Sequence, residues 1–103
     1  MVTFDQIREI ALKLPGVEDG TSYGTPALKV KGKLLARLKE DGQSVVFRVT
    51  FDQRDLLMQT KPKIFFITDH YLNYEWVLVN LATVTTDALD AMISRAHQLA
   101  KKK

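Results

Sequence analysis

Lys29, Arg37 and Arg48 are the residues whose types and spacing say most about chemistry in this chain. Each occupies an alternate position in a short run rich in leucine, valine or alanine, where one set of side chains turns to a core and the other away from it. If the three runs pair as neighbouring strands, the three cations leave the same sheet face. Like charges side by side repel and add nothing to folding, so such a face suits a polyanion. Lys31 and Lys33, flanking Gly32, are placed to assist. Three phosphate contacts give a salt slope near three times about −0.9, a roughly 40-fold loss of affinity between about 50 and 200 mM salt. The alternative reading is the solvated face of a half-exposed sheet, with its charge balanced by Glu40, Asp41 or Glu75.

Aromatic residues form the second set. Tyr23, His70, Tyr71, Tyr74 and Trp76 lie in or beside the two longest loops, where rings can stack on planar ligands or line a small-molecule pocket. With the Thr25 hydroxyl, the residues Tyr23, His70, Tyr71 and Trp76 make a candidate site for a small ligand or a protein partner. The competing reading is partly buried rings whose polar tips find backbone partners.

Catalytic sets are not indicated. Ser22, His70 and Asp69 have none of the context of a nucleophile elbow. Gly16, Gly20 and Gly24 repeat every four residues without forming GxGxxG or a P-loop. There is no cysteine, and the two histidines lack a zinc-binding spacing, so the expectation is no metal, no cofactor and no enzyme activity. His97 reads as a surface or cap residue of the last helix. Asp5 and Glu9 read as ordinary surface partners of Arg8 and Lys13.

The elements that must position these residues follow from periodicity. Thr3 and Gln6 form a capping box ahead of Phe4, Ile7, Ala11 and Leu14, which predicts a helix over 4–14, stopped by Pro15-Gly16. A polar loop then runs through Glu18 to Thr25. Strands are predicted at 27–31, 34–39 and 44–50, separated by Gly32 and by Asp41-Gly42. In these strands Leu34, Ala36, Leu38, Val45, Phe47, Val49 and Phe51 are placed inward. Asp52 and Asp55 open a short helix over 53–59, with Leu56 and Leu57 able to reach the core. Strands follow at 64–68 and 75–81, joined by the loop from Asp69 to Tyr74. A last helix capped by Thr85 or Thr86 carries Leu89, Met92, Ile93, Ala96 and Leu99 on one face.

The order α-β-β-β-α-β-β-α predicts a two-layer α+β fold: an antiparallel sheet with helices on one face and its other face open to solvent or a partner. The 103 residues, 46% of them hydrophobic, are enough for one domain over 1–103. Net charge is +3, part of it in Lys101-Lys102-Lys103, where cations suit a helix C-terminus. No apolar run approaches a membrane span, and the N-terminal residues lack a signal-peptide pattern, so the expected location is cytoplasmic, with no membrane contact.

Pro15-Gly16-Val17-Glu18, Ser22-Tyr23-Gly24-Thr25-Pro26-Ala27, Lys29-Val30, Gly32-Lys33-Leu34-Leu35-Ala36, His70-Tyr71 and Trp76-Val77-Leu78-Val79 together resemble the MmcQ/YjbR family. The resemblance spans nearly the whole chain. It implies a small bacterial domain with a CyaY-like fold and a role in DNA binding, rationalised by a pair of wings. The two meander turns, at Lys31-Gly32-Lys33 and Glu40 to Gln43, lie at opposite ends of the second strand and do not make such a pair. Iron binding is not implied, because the first helix lacks an acidic surface. The sequence therefore supports two readings: a DNA-binding domain using Lys29, Arg37 and Arg48 with Lys31 and Lys33, or a ligand module using the aromatic loops.

Overall fold

The computed structural model describes residues 2–101; Lys102 and Lys103, two of the three tail lysines, lie outside them. Thr3 caps α1 (Phe4–Ala11) through the expected reciprocal bonds with Gln6. This helix ends three residues short of the predicted boundary at Leu14. Its apolar stripe, Phe4, Ile7 and Ala11, is buried.

The polar segment that follows is a strand. β1 (Val17–Ser22) pairs antiparallel with β2 (Thr25–Val30), leaving Tyr23 and Gly24 as a two-residue turn. The expected long loop is thus an edge strand, and the strand count rises to six. Glu18, Asp19 and Gly20 are poor strand formers, and the pairing with β2 supplies the strand's stability. β3 (Lys33–Leu38) and β4 (Ser44–Arg48) complete the meander. Asp41 accepts from the amides of Gln43 and Ser44, closing the turn between them.

α2 (Phe51–Thr60) is opened by Thr50 and Gln53 rather than by Asp52 and Asp55. Phe51 is therefore the first helical residue and is exposed, not part of a strand's inner face. Leu57 packs on the core, whereas Leu56 faces solvent. Strand β5 (Phe65–Phe66) is short, and a 3-10 turn at Asp69–Tyr71 leads to β6 (Trp76–Asn80). The antiparallel sheet has the order β1-β2-β3-β4-β6-β5. α3 (Thr86–Lys101) lies across β2, β3 and β4 and beside α1. Its buried stripe ends in His97 and Ala100, with Leu99 only half-buried. His97 is not the surface residue expected: Nε2 donates to the Pro15 carbonyl at 2.8 Å, tying α3 to the chain just before β1.

The main core lies between the sheet and the helices, with Leu28, Ala36, Phe47 and Val77 paired across its central strands. Strict alternation fails once. Leu28 pairs with Ala36 but Lys29 pairs with Leu34, so Leu35 is an extra residue, a β-bulge. Leu35 and Ala36 both turn inward and are fully buried, and Leu34 turns outward, the reverse of its expected side. The other sheet face is not simply open. Val46 and Leu78 are covered there by Tyr71, with Phe66, Ile67 and Trp76 packed around them.

Candidate functional site

Cross-strand pairs share a face, so the register places Ala27, Arg37, Val46 and Leu78 in one row across the outer side of the sheet. Lys29 and Leu34 lie in a neighbouring row, and Arg48 pairs with Trp76. Lys29, Arg37 and Arg48 therefore do share a face. They are not equivalent cations, however.

Arg37 is only 6% exposed. Its Nη2 donates to the Tyr71 hydroxyl at 3.1 Å, and its Nη1 donates to Thr25 Oγ1 at 3.2 Å and to Glu40 Oε1 at 3.1 Å. The Thr25 hydroxyl in turn donates to the Ser22 carbonyl, so the guanidinium is keyed to the β1–β2 hairpin. Burial works against the charge of Arg37, but Glu40 and Tyr71 outweigh it and the pKa lies above its ordinary value. Glu40 is held below the ordinary carboxylate range by its own amide N–H and by Arg37. The residue expected to project as a phosphate contact is instead a recessed hub with its donors engaged.

Arg48 is half-buried. Its guanidinium stands 4.6 Å from the Trp76 ring, and Nε donates to the Leu34 carbonyl at 2.7 Å. The β3–β4 ladder stops at Ala36–Phe47, and beyond it the Arg48 side chain reaches the Leu34 carbonyl. Burial lowers the Arg48 pKa, with Glu75 opposing. Lys29 is half-buried opposite Glu18. Lys31 and Lys33 sit at the β2–β3 turn, about 20 Å along the strand from the Tyr23 end.

The two aromatic segments, 70 and 23 being their first ring positions, meet at an open cleft of about 750 Å³ on this outer face. Tyr23 at the hairpin tip forms one wall and His70, Tyr71, Tyr74 and Trp76 the other, with Arg37, Lys39 and Glu40 between them. Tyr23 is 87% exposed and adopts φ 54°, followed by Gly24 at φ 80°, the type I′ pattern that favours Asn-Gly. A strained, exposed tyrosine held under the Arg37 guanidinium at 5.3 Å is a residue displayed rather than packed. Tyr71, by contrast, is buried, with Lys39 Nζ 5.5 Å from its ring centroid.

Arg54 supports the second wall from behind. It is buried on α2, and its Nη1 donates to the carbonyls of Tyr71, Leu72 and Tyr74. Sequence reasoning did not single out Arg54, Lys39 or Glu40 as members of the site. Glu40, three residues after Arg37, had the spacing of an ion-pair partner; Arg54 had no local signal.

Among the described residues there is no group of three or more His, Cys, Asp or Glu able to hold a metal ion, and no helix is long and apolar enough to cross a membrane.

Comparison with known proteins places this architecture. The family model YjbR matches residues 12–99. The chain belongs to the YjbR family. The matched span contains every residue that forms the cleft. Among solved structures, the chain is similar to the Deinococcus radiodurans protein DR2400, which carries the DUF419 domain, with a TM-score of 0.83 at 24% identity over 100% of this chain and 81% of that one. It is also similar to a Pseudomonas syringae protein, with a TM-score of 0.76 at 13% identity over 97% of this chain and 100% of that one. At these identities the likeness establishes the fold. No curated protein matches the chain.

Proposed function

We propose that this YjbR-family protein is a non-enzymatic DNA-binding module and that the outer sheet face, centred on the aromatic cleft, is its contact surface. One observation carries the reading: exposed rings from two distant segments meet Arg37 and Lys39 at a single open cleft. Cations give sequence-insensitive attraction to phosphates, and rings give stacking surfaces for bases. Because Arg37 is recessed, the attraction rests first on Lys39 and Lys29, with the Lys31 turn extending it. α1 and α3 spend their apolar stripes on each other and on the sheet, which argues against a recognition helix and for weak discrimination among sequences.

Fluorescence anisotropy with labelled single-stranded and duplex DNA tests this. Binding at about 50 mM salt that weakens about 10- to 40-fold by about 200 mM is the expected result. A flat titration at low salt overturns the reading.

The cleft volume, about 750 Å³, favours one second reading, since small-molecule sites span roughly 300–1,000 Å³. Its ligand would be planar and anionic. Quenching of Trp76 fluorescence by phenyl phosphate, with no response to DNA, is the outcome that selects it.

A further inference from the structure

The Arg37–Glu40 pair joins two very unequal side chains. Arg37 is 7% exposed in its side chain and fixed by Tyr71 and Thr25, whereas Glu40 is 61% exposed and sits at the start of a turn. Both line the cleft. The guanidinium is thus a preorganised anion receptor whose carboxylate partner among the described residues is a solvent-exposed side chain. Glu40 stands in solvent, so its carboxylate can leave the pair for water provided another anion takes its place on the buried guanidinium. The fixed cation at the cleft floor is what a ligand anion would meet.

We infer that the Glu40 carboxylate occupies the place of a DNA phosphate on Arg37, and that a phosphate of single-stranded DNA entering the cleft displaces it. Glu40 is then an internal competitor, a built-in brake on affinity. The strand must be single because Arg37 is recessed: a flexible strand can carry a phosphate into the cleft beside Tyr23, whereas a paired backbone is held on a stiff cylinder. This inference rests on the cleft being the DNA contact surface.

The test compares the wild-type protein with Glu40→Gln and with Asp90→Asn, which changes net charge equally but lies exposed on α3 in the helical layer. Anisotropy is read at low salt with a short labelled oligodeoxythymidylate and, separately, with a labelled duplex. Glu40→Gln is expected to tighten single-strand binding about two- to fivefold, the effect of removing a competing carboxylate whose own side is solvated. Asp90→Asn should change it little, and the duplex should gain no more from Glu40→Gln than from Asp90→Asn. If Glu40→Gln binds the single strand no more tightly than Asp90→Asn, or if the duplex gains equally, the inference fails while the DNA-binding reading stands. If neither the wild type nor Glu40→Gln binds either DNA, that reading falls and takes the inference with it. Glu40 helps to hold the charge of buried Arg37, so Glu40→Gln should melt somewhat below the wild type, and anisotropy read well below both midpoints keeps folding out of the comparison.

Discussion

The Tyr71 hydroxyl accepts a 3.1 Å hydrogen bond from Arg37 Nη2, across 34 residues of sequence. Through it the 3-10 turn before β6 is fastened to the centre of the sheet. The same tyrosine ring covers Val46 and Leu78, so one side chain both seals the outer apolar cluster and orients the cleft's buried cation.

Tyr71→Phe keeps the ring and removes the acceptor. Arg37 Nη2 then loses its partner in a buried position, which costs about 1–3 kcal/mol. Urea unfolding should show a lower midpoint with an unchanged m-value. A midpoint equal to that of the wild type would mean that solvent replaces the hydroxyl.

Tyr23 is predicted to trade stability for display. Its left-handed backbone costs about 1 kcal/mol, whereas its exposed cation–π contact with Arg37 returns about 0.5 kcal/mol. Strain is the larger effect, so Tyr23→Asn should melt about 2 °C or more above the wild type. The same variant should bind single-stranded DNA more weakly. A lower melting temperature would count against the strain argument.

Arg54→Met should loosen the second wall of the cleft. Three backbone carbonyls lose a charged donor, and the expected loss is about 2–3 kcal/mol. Amide hydrogen exchange is the discriminating measurement: protection should fall for the amides of Tyr71, Leu72 and Tyr74, whose acceptors lie in this same turn, more than for those of β3 and β4.

Asp41 makes stability depend on acid. The amide of Gln43 is the main cause of its lowered pKa; burial opposes, and the Ser44 amide and hydroxyl add to the lowering. A depressed carboxylate contributes its full stabilisation above the unfolded value, near 3.8, and loses it as pH falls through the lower folded value. Urea melts of the wild type and Asp41→Ala should therefore differ most above about pH 5 and converge toward about pH 2. A gap that stays constant with pH would assign the effect to the turn's shape alone.

Helices and inner strands were legible because their signals are local. Thr3 with Gln6 and the stripe Phe4-Ile7-Ala11 require no knowledge of partners, and the same holds for Leu89, Met92, Ile93 and Ala96. β1 was not legible, since an edge strand with four consecutive exposed residues has no core face to betray it. The Tyr23-Gly24 pair was the one available sign of its hairpin. The bulge at Leu35 hid behind a Leu-Leu-Ala run in which either parity buries an apolar residue. For the site, the register correctly grouped Lys29, Arg37 and Arg48, but the burial of Arg37 depends on Tyr71, which no spacing rule connects to it. Convergence of the two aromatic segments is likewise a product of the strand order, in which β6 lies beside β4 rather than beside β5 alone.

That strand order also acts as a ruler. The hairpin carrying Tyr23 ends on β2, and the opposite wall is carried into β6, with β3 and β4 between them. Three strand spacings of about 4.8 Å separate the two supports by about 14 Å, a distance set by backbone hydrogen bonds and insensitive to side-chain identity. Substitutions can re-line this gap, and the hairpin tip can lean across it. Changing the gauge itself would require adding or removing a strand, so size selection across the family is expected to follow sheet architecture while chemical selection follows the rings.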